Sequence, residues 1–235
     1  MKKVLMVLNS FLPSAGPCTA RSVGFVRLLR NYGWEPLILT REILAPDTGD
    51  ASEGLEMPED IDVFRTSPWE LDELPGLLGF AGRRLGEWFL APDKERLWTV
   101  FTRRKAVRIV KNEGIDLIYT ASPPKSSHLL GFYLKKRFPQ LPWIADICAA
   151  APVNAGNPRS SLKAGVEKRT DRRICEAADY VVSGSEGMLK AMLEASQAWD
   201  INGKCFTIPD GFAEELSGVF EKSCRLLAAK RLVQK

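Results

Sequence analysis

Seven short runs of aliphatic and β-branched residues punctuate the sequence, and the stretches between them have helical spacing. The runs are Lys3–Asn9 (KVLMVLN), Glu35–Thr40 (EPLILT), Asp62–Arg65 (DVFR), Asp116–Thr120 (DLIYT), Trp143–Asp146 (WIAD), Tyr180–Ser183 (YVVS) and Lys204–Ile208 (KCFTI). Most are apolar at successive positions, the mark of strands covered on both faces of a parallel sheet. Helices are expected at Thr19–Tyr32, about Trp69–Leu90, Lys94–Glu113, Ser126–Phe138, Leu162–Ala177 and Ser185–Ala195. Regular alternation of strand and helix predicts an α/β fold: a single Rossmann-like, doubly wound parallel sheet with helices on both faces. Ala45–Asp60 is polar and reads as a surface loop.

Composition narrows the function classes. With 235 residues and 45% hydrophobic content, the chain can bury a sizeable core and is not a disordered segment. Its net charge of +4 and pI of 8.8 fall short of a nucleic-acid footprint, which begins above a pI of about 9, so no nucleic-acid partner is expected. The apolar run Val4–Leu8 is broken by Asn9 and Ser10, which fits a first strand better than a secretion signal. No apolar run approaches the roughly 18 residues of a membrane span. Five cysteines without CxxC spacing, and a single histidine, argue against structural zinc and for free thiols in a reducing cytoplasm.

In a doubly wound sheet, ligands bind outside the carboxyl ends of the strands. The first such loop, NSFLPSAGPCTARS, has Gly16 between two prolines and Thr19 placed as a helix N-cap. It lacks GxGxxG, so a nicotinamide or flavin fingerprint is absent. Arg21 falls in the first helical turn, where the macrodipole disfavours a cation. Either an anion docks beside it or it is a solvated surface arginine. The stretch TASPPKSSHLLG, Thr120 to Gly131, carries His128, with Ser122 or Ser126 as the expected cap. The positive end of the helix favours a neutral imidazole there. His128 therefore reads as an orienting or packing group rather than a proton-transfer group. Asp146 closes a buried strand, where a carboxylate needs a partner or a ligand. Leu74–Leu90 sets an apolar face against Arg83, Arg84 and Glu87, and suits either packing on the domain or peripheral contact with a membrane. The basic residues of Arg103–Lys111 read as a solvated helix face.

Taken together, these pieces resemble the N-terminal domain of family-4 glycosyltransferases with the GT-B fold. The matching residues run from Lys3 to about Glu215. They include KVLMVLNSFLPSAG, Arg21, GWEPLILT, Pro92–Asp93 with Trp98, IDLIYTASPPKSSHLLGFYLKKRF, PWIAD, SGSEGM and IPDGFAEE. The resemblance implies a domain over residues 1–212, with 213–235 as a helical tail or linker. It implies sugar transfer from a nucleotide-sugar to a glycan or lipid-linked acceptor, with retention and without a metal or other cofactor, in envelope or exopolysaccharide synthesis. It places Gly16 and Arg21 toward the cleft, Ser126, Ser127 and His128 along or beneath the acceptor side, and Asp146 at the cleft edge. Two departures stand out. Where the family resembles DFRDPW, this sequence runs from Asp146 to Ile147, Cys148 and three alanines. Where the family continues into a second Rossmann-like domain of roughly 150 residues, which carries the donor site, 23 residues follow IPDGF here. The expectation is an isolated chain with little activity of its own, or a non-catalytic half that pairs with a separate donor-domain chain.

Overall fold

The computed structural model describes residues 1–13, 18–42, 55, 57–67, 96–148, 158–198, 201, 203–209 and 217–222. Gly16, the expected helix over Trp69–Leu90 and most of the Ala45–Asp60 loop lie outside the described residues. The elements are β1 (Lys2–Leu8), α1 (Thr19–Leu29), a 3-10 turn (Arg30–Tyr32), β2 (Trp34–Arg41), β3 (Val63–Thr66) and α2 (Arg96–Asn112). They continue with β4 (Leu117–Ser122), α3 (Ser126–Arg137), β5 (Trp143–Ile147), α4 (Pro158–Ala177), β6 (Tyr180–Ser183), α5 (Glu186–Ser196) and β7 (Cys205–Thr207).

The seven strands form one sheet in the order β3-β2-β1-β4-β5-β6-β7. Every neighbouring pair is parallel. Strand order reverses between β1 and β4, which puts the topological switch point at the centre of the carboxyl edge. The anticipated α/β, Rossmann-like sheet is therefore the fold observed. Side-chain alternation divides the core in two. Leu5, Val7, Leu39 and Ile118 face α2 and α3, where Trp98, Ala106, Leu130 and Leu134 cover them. Val4, Met6, Ile38, Tyr119 and Ile144 face α1, where Val23, Phe25, Val26 and Leu29 pack. A helical segment over 217–222 joins that second face. Its Phe220 is fully buried and meets Trp34 edge-to-face at 5.0 Å.

Helix entry differs from the sequence expectation. The N-caps of α1 and α3 are Cys18 and Lys125, not Thr19, Ser122 or Ser126, and neither makes a side-chain cap hydrogen bond. Both adopt αR geometry, whereas a capping side chain folds back from an extended residue. Ser185 has that extended geometry before α5 and accepts from Met188 N. The helix expected over Thr19–Tyr32 tightens after Leu29 into the 3-10 turn, which Gly33 ends at φ 81°, a conformation open to glycine.

Candidate binding site at the carboxyl edge

Arg21 and Asp146 answer each other. Arg21 is the third residue of α1, and Asp146 is the fourth of β5, on the sheet face that α1 covers. Arg21 Nε donates to Asp146 Oδ2 at 2.8 Å, with both side chains almost wholly buried. Arg21 Nη1 donates to the Ile208 carbonyl at 2.7 Å, just past β7. Its guanidinium carbon also lies 4.7 Å from the Phe25 ring centroid, one turn along α1. From β4, the Tyr119 hydroxyl donates a short hydrogen bond to the same Asp146 oxygen. Burial first, and then the Asp146 charge, push the Tyr119 phenol well above its ordinary range, so it stays a donor. One buried cation thus ties α1, β5 and the chain leaving β7 into a single unit beneath the carboxyl edge.

The histidine motif is equally internal. Ser126, Ser127 and His128 are all fully buried. Ser127 Oγ accepts from the Asn9 amide at 3.2 Å and so fixes the point where the chain leaves β1. The Ser126 carbonyl accepts from Thr99 Oγ1 of α2 at 3.0 Å. His128 Nδ1 lies 2.7 Å from Thr120 Oγ1, which accepts from Trp143 Nε1 at 2.9 Å. Burial, and secondarily the Lys125 charge, lower the imidazole pKa to about 3, so the ring is neutral at physiological pH. The neutral form follows the sequence expectation, but burial outweighs any influence of the helix end. One turn on, a Cβ at Gly131 would sit 2.6 Å from Trp143 Nε1 and 2.7 Å from Thr120 Cγ2, so α3 can approach the sheet this closely only with glycine there.

Five of the six residues singled out in the sequence therefore form the floor of the carboxyl edge, and Gly16 lies outside the described residues. Arg21 meets Asp146 directly, while the Ser126–His128 group makes separate contacts to Asn9 just past β1, to α2 and to β4. Sequence reasoning missed Tyr119, which reads simply as a strand residue, and Arg65. Arg65 Nη2 donates to the Leu12 carbonyl at 2.7 Å. It lines an open pocket of about 310 Å³ with Leu12, Pro13 and Leu55, where the first loop meets the carboxyl end of β3. Its position next to the end of a strand was the available signal. Cys148 follows β5 directly. A hydrogen bond with Cys18, then burial, then the Asp146 charge hold its thiol well above the usual range. Among the described residues, no group of three histidine, cysteine or acidic side chains is placed to hold a metal ion. The described part of this edge is a buried floor of hydrogen-bonded polar groups.

No family model matches the sequence, and no curated protein matches it. Solved structures do. A glycosyltransferase from Rickettsia africae is similar at 14% identity and a TM-score of 0.53, over 88% of this chain and 42% of that one. Phytolacca americana UGT2, in complex with UDP-2-fluoro-glucose and pterostilbene, is similar at 10% identity and a TM-score of 0.53, over 89% of this chain and 54% of that one. A UDP-GlcNAc 2-epimerase from Neisseria meningitidis, bound to UDP-GlcNAc, is similar at 13% identity and a TM-score of 0.49, over 94% of this chain and 50% of that one. The chain spans about half the length of these proteins. At such identities the likeness to the first two establishes the fold alone, which is GT-B-like.

Proposed function

We propose that this domain is the acceptor-side half of a nucleotide-sugar-dependent glycosyltransferase. The carrying observation is the carboxyl edge itself. The loop after β1, the β4–α3 turn, the end of β5 and the chain leaving β7 are held by buried polar contacts around the switch point of a GT-B-like sheet. A floor fixed by buried hydrogen bonds supplies what an acceptor site needs, which is positioning. The Leu12–Arg65 pocket offers an apolar wall and one guanidinium, a combination that suits a saccharide ring with a polar substituent. Two glycosyltransferases share the fold, and one of them was captured with a UDP-sugar analogue.

In this reading the donor diphosphate is neutralised by a second Rossmann-like domain, on the same polypeptide or on a separate chain. Arg21 and Asp146 shape the floor, and Ser127 and His128 support the acceptor loops from below. The family resemblance extends the proposal to glycan or lipid-linked acceptors of envelope or exopolysaccharide synthesis at the cytoplasmic side of a membrane.

The test is a saccharide array probed with the folded chain, alongside calorimetric titration with UDP, GDP and their sugars. Retention on a saccharide, weakened by Arg65→Ala, is the expected result. A folded chain that retains no saccharide and binds no nucleotide-sugar would overturn the proposal.

A further inference from the structure

Two thiols meet at the carboxyl edge. Cys18 is the N-cap of α1, and Cys148 is the first residue after β5. Cys18 is buried and Cys148 half-buried. The β4–α3 turn holds both from adjacent residues. Cys148 N donates to the Ser122 carbonyl at 2.9 Å, and Cys18 Sγ donates to the Pro123 carbonyl at 3.6 Å. The two side chains pack in one apolar cluster and share a hydrogen bond. Because the Cys18 S–H points at Pro123, its sulfur is the acceptor and the Cys148 thiol the donor.

The buried frame beneath keeps them together. Arg21 follows Cys18 within the first turn of α1, and Asp146 precedes Cys148 at the end of β5, and these two close at 2.8 Å. The Cys18 carbonyl also accepts from the Ser22 amide at 2.9 Å. Both cysteine backbones are therefore fixed by hydrogen bonds, and only the approach of two sulfurs separates the pair from a covalent link. A cysteine that merely fills space behaves as a small apolar residue and needs no second thiol beside it.

We propose that Cys18 and Cys148 form a reversible disulfide site, closed by exchange with a small disulfide of the glutathione class. In the first step the Cys148 thiolate, on the more exposed residue, attacks one sulfur of glutathione disulfide. The oxidant's S–S bond breaks, a mixed disulfide forms, and one glutathione leaves with the proton that Cys148 released. In the second step Cys18 gives up its proton and attacks Cys148 Sγ. The Cys18–Cys148 bond forms and the second glutathione leaves as a thiol. Two protein thiols are oxidised, and one glutathione disulfide is reduced to two glutathiones. The hydrogen bond and burial that disfavour the Cys148 thiolate make the first step slow, so the site is read at equilibrium. The bond ties the start of α1 to the end of β5 and limits how far the first loop and the segment after β5 can separate. Where thiols are kept reduced, a disulfide of this kind senses redox state. The inference stands apart from the sugar-transfer reading, because closure is read on the protein itself and needs no saccharide.

The experiment equilibrates the full chain, without air, in buffers of graded reduced-to-oxidised glutathione ratio. Acid quenching, alkylation of the remaining thiols, digestion and mass spectrometry then read each cysteine. A peptide linked through Cys18 and Cys148 is expected to appear as the ratio falls and to vanish on addition of dithiothreitol. The link should form at least roughly tenfold more readily in the native chain than in urea, where the two residues are held together only by the chain between them. By linkage the oxidised chain should then unfold at a higher urea concentration than the reduced one. Cys18→Ser should stop Cys148 at the mixed disulfide with glutathione, whereas Cys175→Ser should link like the parent. Circular dichroism confirms that each variant is folded. Absence of the linked peptide from the parent at every ratio would overturn the proposal, and so would equal linkage in urea. Arrest of the parent at the Cys148–glutathione disulfide would overturn it too, because Cys18 would then be out of reach.

Discussion

Arg21 and Asp146 stand 125 residues apart in sequence, and their side chains meet at 2.8 Å with almost no exposure to solvent. A buried pair of this kind contributes little net stability over an apolar substitute, yet removing one member strands the other charge at a cost of about 3–5 kcal/mol. Arg21→Ala and Asp146→Ala should each lower stability by that amount in urea unfolding. The double variant Arg21→Ala, Asp146→Ala should lose clearly less than the sum of the two. Strict additivity in that cycle would mean that the two groups do not sense each other.

Gly131 offers a test of how tightly α3 is seated. A methyl group there would meet the Trp143 and Thr120 side chains at 2.6–2.7 Å, well inside contact distance. Both neighbours are pinned, since Trp143 Nε1 donates to Thr120 Oγ1 at 2.9 Å. Gly131→Ala should therefore destabilise by about 1–3 kcal/mol, despite the better helix propensity of alanine. Its tryptophan fluorescence should shift. A variant as stable as the parent would show that α3 can slide outward at no cost.

How much of this was legible in the sequence depended on whether the cause was local. Runs such as Val4–Leu8 and Tyr180–Ser183 betray buried parallel strands because both faces must be apolar, and those strands appear within a residue or two of their expected limits. Arg21 and Asp146 were each visible as an anomaly, a cation in a first turn and a carboxylate in a buried strand. Their pairing was not visible, because it requires α1 to lie over β5, which only strand order and register decide. Tyr119 gave no signal, since its ring fits a strand whether or not its hydroxyl has a task. The caps at Thr19 and Ser126 were misplaced because residue type suggests a cap while backbone geometry at the preceding residue decides it. His128 was legible as neutral, but its full burial between α3 and the sheet was not.

The thiols should be slow. Alkylation proceeds through the thiolate. Cys148 is only half-buried, yet its hydrogen bond with Cys18, its burial and the nearby Asp146 carboxylate all favour the protonated form. Burial pushes the Cys175 thiol up to about 12. Iodoacetamide labelling at neutral pH, read peptide by peptide in a mass spectrometer, should find both at least roughly tenfold slower in the native protein than in urea. Labelling of native Cys148 at the unfolded rate would contradict its hydrogen bond with Cys18.

His128 sets a pH dependence whose sign can be worked out. Its pKa is about 3 in the folded protein, against 6.5 for an unperturbed histidine. Between those values the unfolded chain holds a proton that the folded chain does not, so stability rises with pH across that window. The contribution is complete above about pH 6.5 and is lost as the pH falls toward 3, at about 1.4 kcal/mol per pH unit in mid-window. His128→Asn keeps a polar group near Thr120 Oγ1 and removes the titration. It should be less stable than the parent at pH 7, and its stability should fall less steeply on acidification. Carboxylates give both proteins a common acid slope, so the difference between their urea midpoints from pH 7 down to pH 4 isolates the imidazole. Parallel curves would mean that His128 reaches solvent and binds protons in the folded state, against its complete burial.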